Sequence, residues 1–286
     1  DKPGGLIVDY IGIAYNLKNA LSQYTVSDRE NTGVDVDQAV DLMKEKYALV
    51  RDLLHGFDYS KFITGTASER MKAIVACIDF VLGLGENGKK DFLNYVTELA
   101  RAYALCSTTD EAEELNVEIG FFKAVKVGII KLIPAGGPKK TKAQIEAQLN
   151  QLIGKSIISE EVVDILSVVG LDKPNIGILS DEFLEEVRGL PQKNLAVELL
   201  RRLIAGKVKS VSRSNLIQSK KFSEMLENAL KKYQNRSIET TQVIMELIEL
   251  AKQMNEMQKR GESVGLTSDE LAFYDALGSN DAAVMI

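Results

Sequence analysis

Between Arg188 and Leu277 the chain carries three apolar stripes in succession, each at helical spacing, and no other feature narrows the possible folds as much. Counted from Leu195, the apolar positions Leu199, Leu200, Leu203 and Ile204 fall on one face of an α-helix. The second stripe is Phe222, Met225, Leu226, Ala229, Leu230 and Tyr233, and the third is Ile244, Leu247, Ile248, Ala251 and Met254. Gly265 then breaks the chain. Thr267 and Glu270 have the spacing of a capping box, in which each side chain satisfies a backbone N–H at the other's end. Three amphipathic helices and a capped fourth cannot all keep their apolar faces in water, so they are expected to pack together.

A chain of 286 residues sits near the size where one core gives way to two, so one or two domains are expected. With 45% hydrophobic and 27% charged residues it has the composition of a globular protein, and few prolines with no tryptophan suit a helical one. A net charge of -6 argues against a nucleic-acid module that is basic all over, while leaving local basic patches open. Cys77 and Cys106 lie inside apolar helical patterns without metal-ligand spacing and read as buried thiols of a reducing, cytoplasmic protein. No apolar run reaches the roughly 18–20 residues needed to span a bilayer, and no membrane contact is expected. A start at Asp1, with no Met and no signal peptide, suggests a piece of a longer chain.

In chain order, Leu6–Ile11, entered through Pro3-Gly4-Gly5, reads as a short buried strand with few partners in the sequence. Ile13–Tyr24 is a short helix. Val36–Leu54 is a long one, with Asp35 or Asp37 as cap and Val40, Met43, Tyr47, Val50 and Leu54 on its apolar face. Thr66 and Glu69 form a second capping box before Met71, Ile74, Val75, Ile78, Val81 and Leu82. Asn87 can cap a helix to about Leu105. Asp110, Glu111, Glu113 and Glu114 crowd the positive end of another, which runs on through Phe121, Phe122, Val125 and Ile129. The stretch 133–142 has linker composition, helices are expected at Thr141–Ile153 and Glu160–Val169, and Gly170–Gly177 is a second break. The fold class is therefore mainly α, a multi-helix bundle with one short N-terminal strand. Its expected divisions are 1–12, 13–134 and a closing bundle at 135–286.

Few residues carry chemistry. Gly83-Leu-Gly-Glu-Asn-Gly88-Lys89-Lys90 approaches a phosphate-binding loop, but Lys90 stands where the magnesium-binding hydroxyl belongs, and a helical pattern precedes it where a strand is required. A helix–turn–helix joint is the better reading. His55, the only histidine, precedes Gly56 at a helix end, where a cation favours the dipole. No metal, cofactor-binding or catalytic residue is assigned. Most carboxylates occupy first turns or stand four residues from a base, as in Glu227–Lys231 and Glu256–Arg260. The feature that stands out runs from Arg201 to Lys221 around Gly206, read as a break between two helices. It holds Arg201, Arg202, Lys207, Lys209, Arg213, Lys220 and Lys221 and no acidic residue. It reads either as a contact to DNA phosphates or an acidic partner surface, or as a solvated helix corner. In both readings acidic substitutions at Lys207, Lys209 and Arg213 should leave folding nearly untouched, as exposed charges contribute little.

Several long runs resemble one known family. They are Pro3-Gly-Gly-Leu-Ile-Val-Asp-Tyr-Ile-Gly, Gly170-Leu-Asp-Lys-Pro, Ile178-Leu-Ser-Asp-Glu-Phe-Leu, Arg188-Gly-Leu-Pro-Gln-Lys-Asn-Leu-Ala, Phe222-Ser-Glu-Met-Leu, Tyr233-Gln-Asn-Arg and Gly265-Leu-Thr-Ser-Asp-Glu-Leu-Ala-Phe-Tyr-Asp-Ala-Leu. In this order they look like the C-terminal region of the restriction (R, or motor) subunit of type I restriction–modification enzymes. The resemblance implies that residues 1–12 are the last strand of a truncated RecA-like motor domain. It implies a parent that couples ATP hydrolysis, with Mg, to DNA translocation and cuts DNA far from its recognition site, in complex with modification (methyltransferase) and specificity subunits. The ATPase, helicase and endonuclease motifs would lie N-terminal to this region. This piece would then dock the motor onto the methyltransferase core or transmit motion to it. The alternatives are a stand-alone helical scaffold that binds another protein and, more remotely, a small-molecule enzyme with its site in the bundle core.

Overall fold

A computed structural model describes residues 36–132, 165–171, 179–212 and 215–264, and these are mainly α-helical, with no strand among them. The expected strand at Leu6–Ile11, the helices at Ile13–Tyr24 and Thr141–Ile153, the 133–142 linker and the Thr267–Glu270 capping box lie outside the described residues. So does the expected boundary at 134/135. The chain divides into two compact units between Asp164 and Ile165.

The first unit contains α1 (Val36–Leu53), α2 (Ser60–Thr64), α3 (Ala67–Gly83), α4 (Gly85–Cys106) and α5 (Asp110–Ile130). Long α1 lies along α4, and α3, α4 and α5 pack on one another. Met43 and Val50 from α1 and Phe92, Val96 and Leu99 from α4 are buried, each on the stripe that the helical period predicts. Capping sets the element starts. Thr66 and Glu69 form the capping box in full, and the Thr109 hydroxyl accepts from the Ala112 N–H beside a first turn rich in acids. Asn87 does not cap: α4 begins two residues earlier, directly after Leu84. The chain can reverse so tightly because Gly85 takes a positive φ of 81°, in a region that favours glycine. The lysines that mimicked a phosphate loop thus sit on the first turns of α4, behind a helix rather than a strand. Both cysteines are buried and free.

Aromatic rings fill the floor of this unit. Phe121 lies 4.7 Å from Phe62 and 5.1 Å from Tyr59, centroid to centroid. The Tyr47 and Tyr59 hydroxyls both donate to Glu118 Oε2, at 2.8 and 2.6 Å, which ties α1 and the segment before α2 to α5. Burial, reinforced by that carboxylate, raises both tyrosine pKa values.

The second unit contains α6 (Ile165–Val168), α7 (Asp181–Gly189), α8 (Lys193–Val211), α9 (Leu216–Gln234) and α10 (Thr240–Val264). Ser180 caps α7 and Asn215 caps α9, each side chain accepting a backbone N–H three residues on. At the end of α9, Arg236 adopts a positive φ of 50°, the Ser237 N–H reaches back to Lys232 O, and the Arg236 N–H to Tyr233 O. This paired closure ends the helix and sends α10 back along it. Val243, Ile244, Leu247, Ile248, Leu250, Ala251 and Met254 are all buried on α10. They pack against α8 as well as α9, with a smaller contact to α7, so α10 serves two main neighbours. The Tyr233 hydroxyl donates to Asn194 Oδ1 at 2.8 Å, pinning the end of α9 to the start of α8.

Gly206 does not break a helix. It lies inside α8, flanked by buried Leu203, Ile204 and Lys207. The glycine costs about 1 kcal/mol relative to alanine, less than the burial of those flanking side chains contributes. Truncating Leu247, which has no exposed surface, should cost roughly 2–5 kcal/mol of the ~5–15 kcal/mol that holds a typical domain. Urea unfolding of Leu247→Ala checks this. A midpoint equal to wild type would contradict the packing of α10.

Candidate functional site

The basic segment 201–221 spans the second half of α8, the corner after it and the start of α9. Its members serve different ends. Arg201 grips Glu198 with two N–H···O bonds of 2.7 Å, and Arg202 Nε donates to the same carboxylate at 2.8 Å. Glu198 is only 5% exposed, so two guanidinium groups neutralise one carboxylate at the surface of the core. Helical spacing of three and four residues makes the triad possible. The sequence stretch counted as acid-free begins just after the acid that engages two of its cations.

Lys207 is interior, at 5% exposed. Its ammonium donates to Asn255 Oδ1 on α10, and Asn255 Nδ2 donates in turn to Leu179 O at 2.6 Å. Burial lowers the Lys207 pKa. The expectation of a folding-neutral surface lysine therefore fails at this position: the residue joins α8 to α10 and to the chain entering α7. Arg213 lies outside the described residues.

Lys209, Lys220 and Lys221 are exposed. Beside the last two, at the start of α9, stand Leu216 at 75% and Ile217 at 41% exposure. Offsets of one, four and five residues put Leu216, Ile217, Lys220 and Lys221 on one face, while Ser219, Phe222 and Leu226 occupy the buried face. The first two turns of α9 therefore present an apolar pair ringed by positive charge. Such a surface can bury carbon against a partner while its ammonium groups meet carboxylates or phosphates.

Other residues resolve into structural roles. His55 is exposed in the turn after α1, before Gly56 at a φ of 84°. The Glu227–Lys231 pair is present at 2.8 Å on the surface of α9, while the Arg260 side chain lies outside the described residues. Burial pushes the Cys106 thiol up to about 11. Among the described residues no group of three or more His, Cys, Asp or Glu could hold a metal ion, and no helix is long and apolar enough to cross a membrane. The residues Gly83–Lys90 do not fit a nucleotide's phosphates, since two helices meet there. Sequence reading passed over Lys123 and Lys126 on α5. Their signal was the absence of any acid from Gly120 to Lys131, masked by the apolar run in which they sit.

Set beside known proteins, the chain has clear relatives. The family described as type I restriction enzyme HindI endonuclease subunit-like, C-terminal, matches residues 26–286. A Methanocaldococcus jannaschii protein, named for the type I restriction enzyme MjaIXP endonuclease subunit, is 32% identical over 277 residues, covering 97% of this chain and 26% of its own length. The Haemophilus influenzae type I restriction enzyme HindI endonuclease subunit is 31% identical over 307 residues, covering 98% of this chain and 29% of its own. The chain thus spans between a quarter and a third of these relatives. No solved structure matches it significantly.

The placement of Lys207 has a pH signature. Its folded pKa is depressed, so between that value and the ~10.4 of an unfolded lysine the unfolded chain holds a proton that the folded chain has released. Stability contributed at this position should therefore rise with pH across that window, and be lowest below it. Urea midpoints measured from pH 7 to pH 10 for wild type and Lys207→Met should differ in slope, the variant being flatter. Parallel profiles would contradict a desolvated ammonium at this position.

Proposed function

The chain belongs to the family of type I restriction enzyme HindI endonuclease subunit-like C-terminal regions, and from that premise we propose that it is the helical part by which such a subunit engages the rest of its complex. In this reading the parent protein is a cytoplasmic, ATP-dependent DNA translocase and endonuclease, acting with modification and specificity subunits on foreign DNA. The ATP, magnesium and nuclease chemistry belong to the parent outside this region. What this chain supplies is a docking or coupling element between the motor and the methyltransferase core.

The observation that carries the reading is the face at the start of α9. Leu216 and Ile217 are exposed although the unit has a well-packed core, and two lysines flank them. Exposed apolar side chains rimmed by charge favour a protein surface with acidic groups around an apolar hollow. The family match over residues 26–286 supports the setting, since relatives named as endonuclease subunits imply a multi-subunit enzyme.

Purified chain is expected to hydrolyse no ATP and cut no DNA in the presence of magnesium. Hydrolysis that co-purified with the chain and tracked its concentration would overturn the division of labour. For docking, the triple substitution Leu216→Asp, Lys220→Glu, Lys221→Glu should keep the wild-type melting temperature within a few degrees, all three side chains being exposed. It should weaken capture of the cognate modification–specificity complex about tenfold or more, with an electrostatic share that shrinks as salt rises. Undiminished capture at low salt would remove this face from the interface.

A further inference from the structure

A second group of cations, in the first unit, shares nothing with the α9 face. Lys123 and Lys126 stand one turn apart on α5. Opposite them on α4, Thr97 and Arg101 are also one turn apart. The two helices pack together, and Lys126 Nζ donates to Thr97 Oγ1 at 2.7 Å across their interface. The Thr97 hydroxyl hydrogen is committed elsewhere, donating to Leu93 O at 2.6 Å. Thr97 therefore acts only as an acceptor toward Lys126, and fixes where its ammonium sits.

Three positive groups meet here without a counter-charge among the described residues. No carboxylate among them engages Arg101, Lys123 or Lys126. The charges that bear on the lysines are like charges, Lys126 on Lys123 and Arg101 on Lys126, both repulsive. Both lysines are half-buried, so burial and like charge act together against the charged state. By contrast, Arg201, Arg202, Lys46 and Lys232 in the same molecule each meet a carboxylate. A protein with a net charge of -6 has acids to spare, yet among the described residues none pairs with these cations. Lys126 keeps two N–H donors after Thr97, Lys123 keeps all of its own, and Arg101 offers a planar fork. Donors of this kind and number match a tetrahedral oxyanion.

We propose that Arg101, Lys123 and Lys126, with Thr97 positioning Lys126, form a phosphate-binding site between α4 and α5, occupied by a phosphate carried on a nucleic-acid backbone or on a free nucleotide. A bound phosphate supplies the missing negative charge and replaces mutual repulsion with charge-assisted hydrogen bonds. The site stands independently of the docking face, since neither shares a residue with the other.

The test uses the full chain and three probes: inorganic phosphate, ATP and a 20-base-pair duplex. Wild type, Lys123→Gln/Lys126→Gln and, as a substitution at an exposed position, Arg101→Gln are compared by thermal shift and by fluorescence anisotropy of the labelled duplex. The double variant is expected to fold with a melting temperature at or above wild type, because two desolvated like charges are gone. Its duplex affinity should fall at least tenfold, and its salt slope should fall by about one, since the single phosphate held at the site is no longer neutralised. Arg101→Gln should fall part of the way. Binding of ATP or inorganic phosphate that both variants lose, without duplex binding, identifies a free phosphate compound as the occupant. Overturning results are wild type binding none of the three probes at low salt, or both variants binding them as wild type does. Because docking is read with the protein complex and this site with phosphate probes, either can fail alone.

Discussion

Helix α10 must bury an apolar face wider than one neighbour can cover, and the second unit is arranged around that demand. Val243, Leu247 and Ala251 have no exposed surface, and Ile244, Ile248, Leu250 and Met254 have little. A stripe of that breadth needs a cleft. The antiparallel pair α8 and α9 provides it, and the turn at Arg236 is tight enough to return the chain into it. Polar groups then refine the seating. Lys207 from α8 and Leu179 O both meet Asn255, a partly buried polar relay that fixes α10 along its axis, as apolar contact alone does not. Displacing α10 by one turn would leave the buried Lys207 ammonium without its partner, at a cost of a few kcal/mol for the unpaired group.

The same logic sorts the charges. A cation near a buried carboxylate becomes structural, as Arg201 and Arg202 do around Glu198. A cation whose stem reaches inward becomes a core hydrogen-bond donor, as Lys207 does. Only what remains is free to meet another molecule, and among the described residues of the segment 201–221 that remainder is Lys209, Lys220 and Lys221. A run of basic letters is therefore a poor measure of a basic surface. Its functional share depends on which helix face each residue occupies and on acids one turn upstream.

Much of the fold was legible because it rests on period and capping. The stripes at Leu195–Ile204, Phe222–Tyr233 and Ile244–Met254 became α8, α9 and α10, and the capping box at Thr66 and Glu69 formed as spaced. Misreadings came where tertiary packing overrode a local signal. Gly206 looks like a stop, yet buried side chains on both sides carry α8 through it. Asn87 looks like a cap, yet Gly85 at positive φ let α4 begin sooner. The interior place of Lys207 was not legible, because it depends on Asn255, 48 residues away in the chain. Nor was the meeting of Lys126 with Thr97, contributed by different helices. The family was legible in long ordered runs, and two of them touch: Asn194 lies in one and Tyr233 in another, joined by a hydrogen bond.

On this account the outward contribution of the second unit is made at few places, chief among them the first turns of α9. Hydrogen exchange of the full chain, with and without the cognate modification–specificity complex, tests that most directly. At the start of α9 the Leu216 and Ile217 amides precede the first intrahelical and capping bonds, made by Gln218 and Ser219, and exchange readily in the free protein. The account predicts slowed exchange concentrated at residues 216–221 when the complex is present, with the amides of α10 unchanged. Exchange unaltered by the complex across the whole chain, or slowed only at residues away from α9, would contradict it.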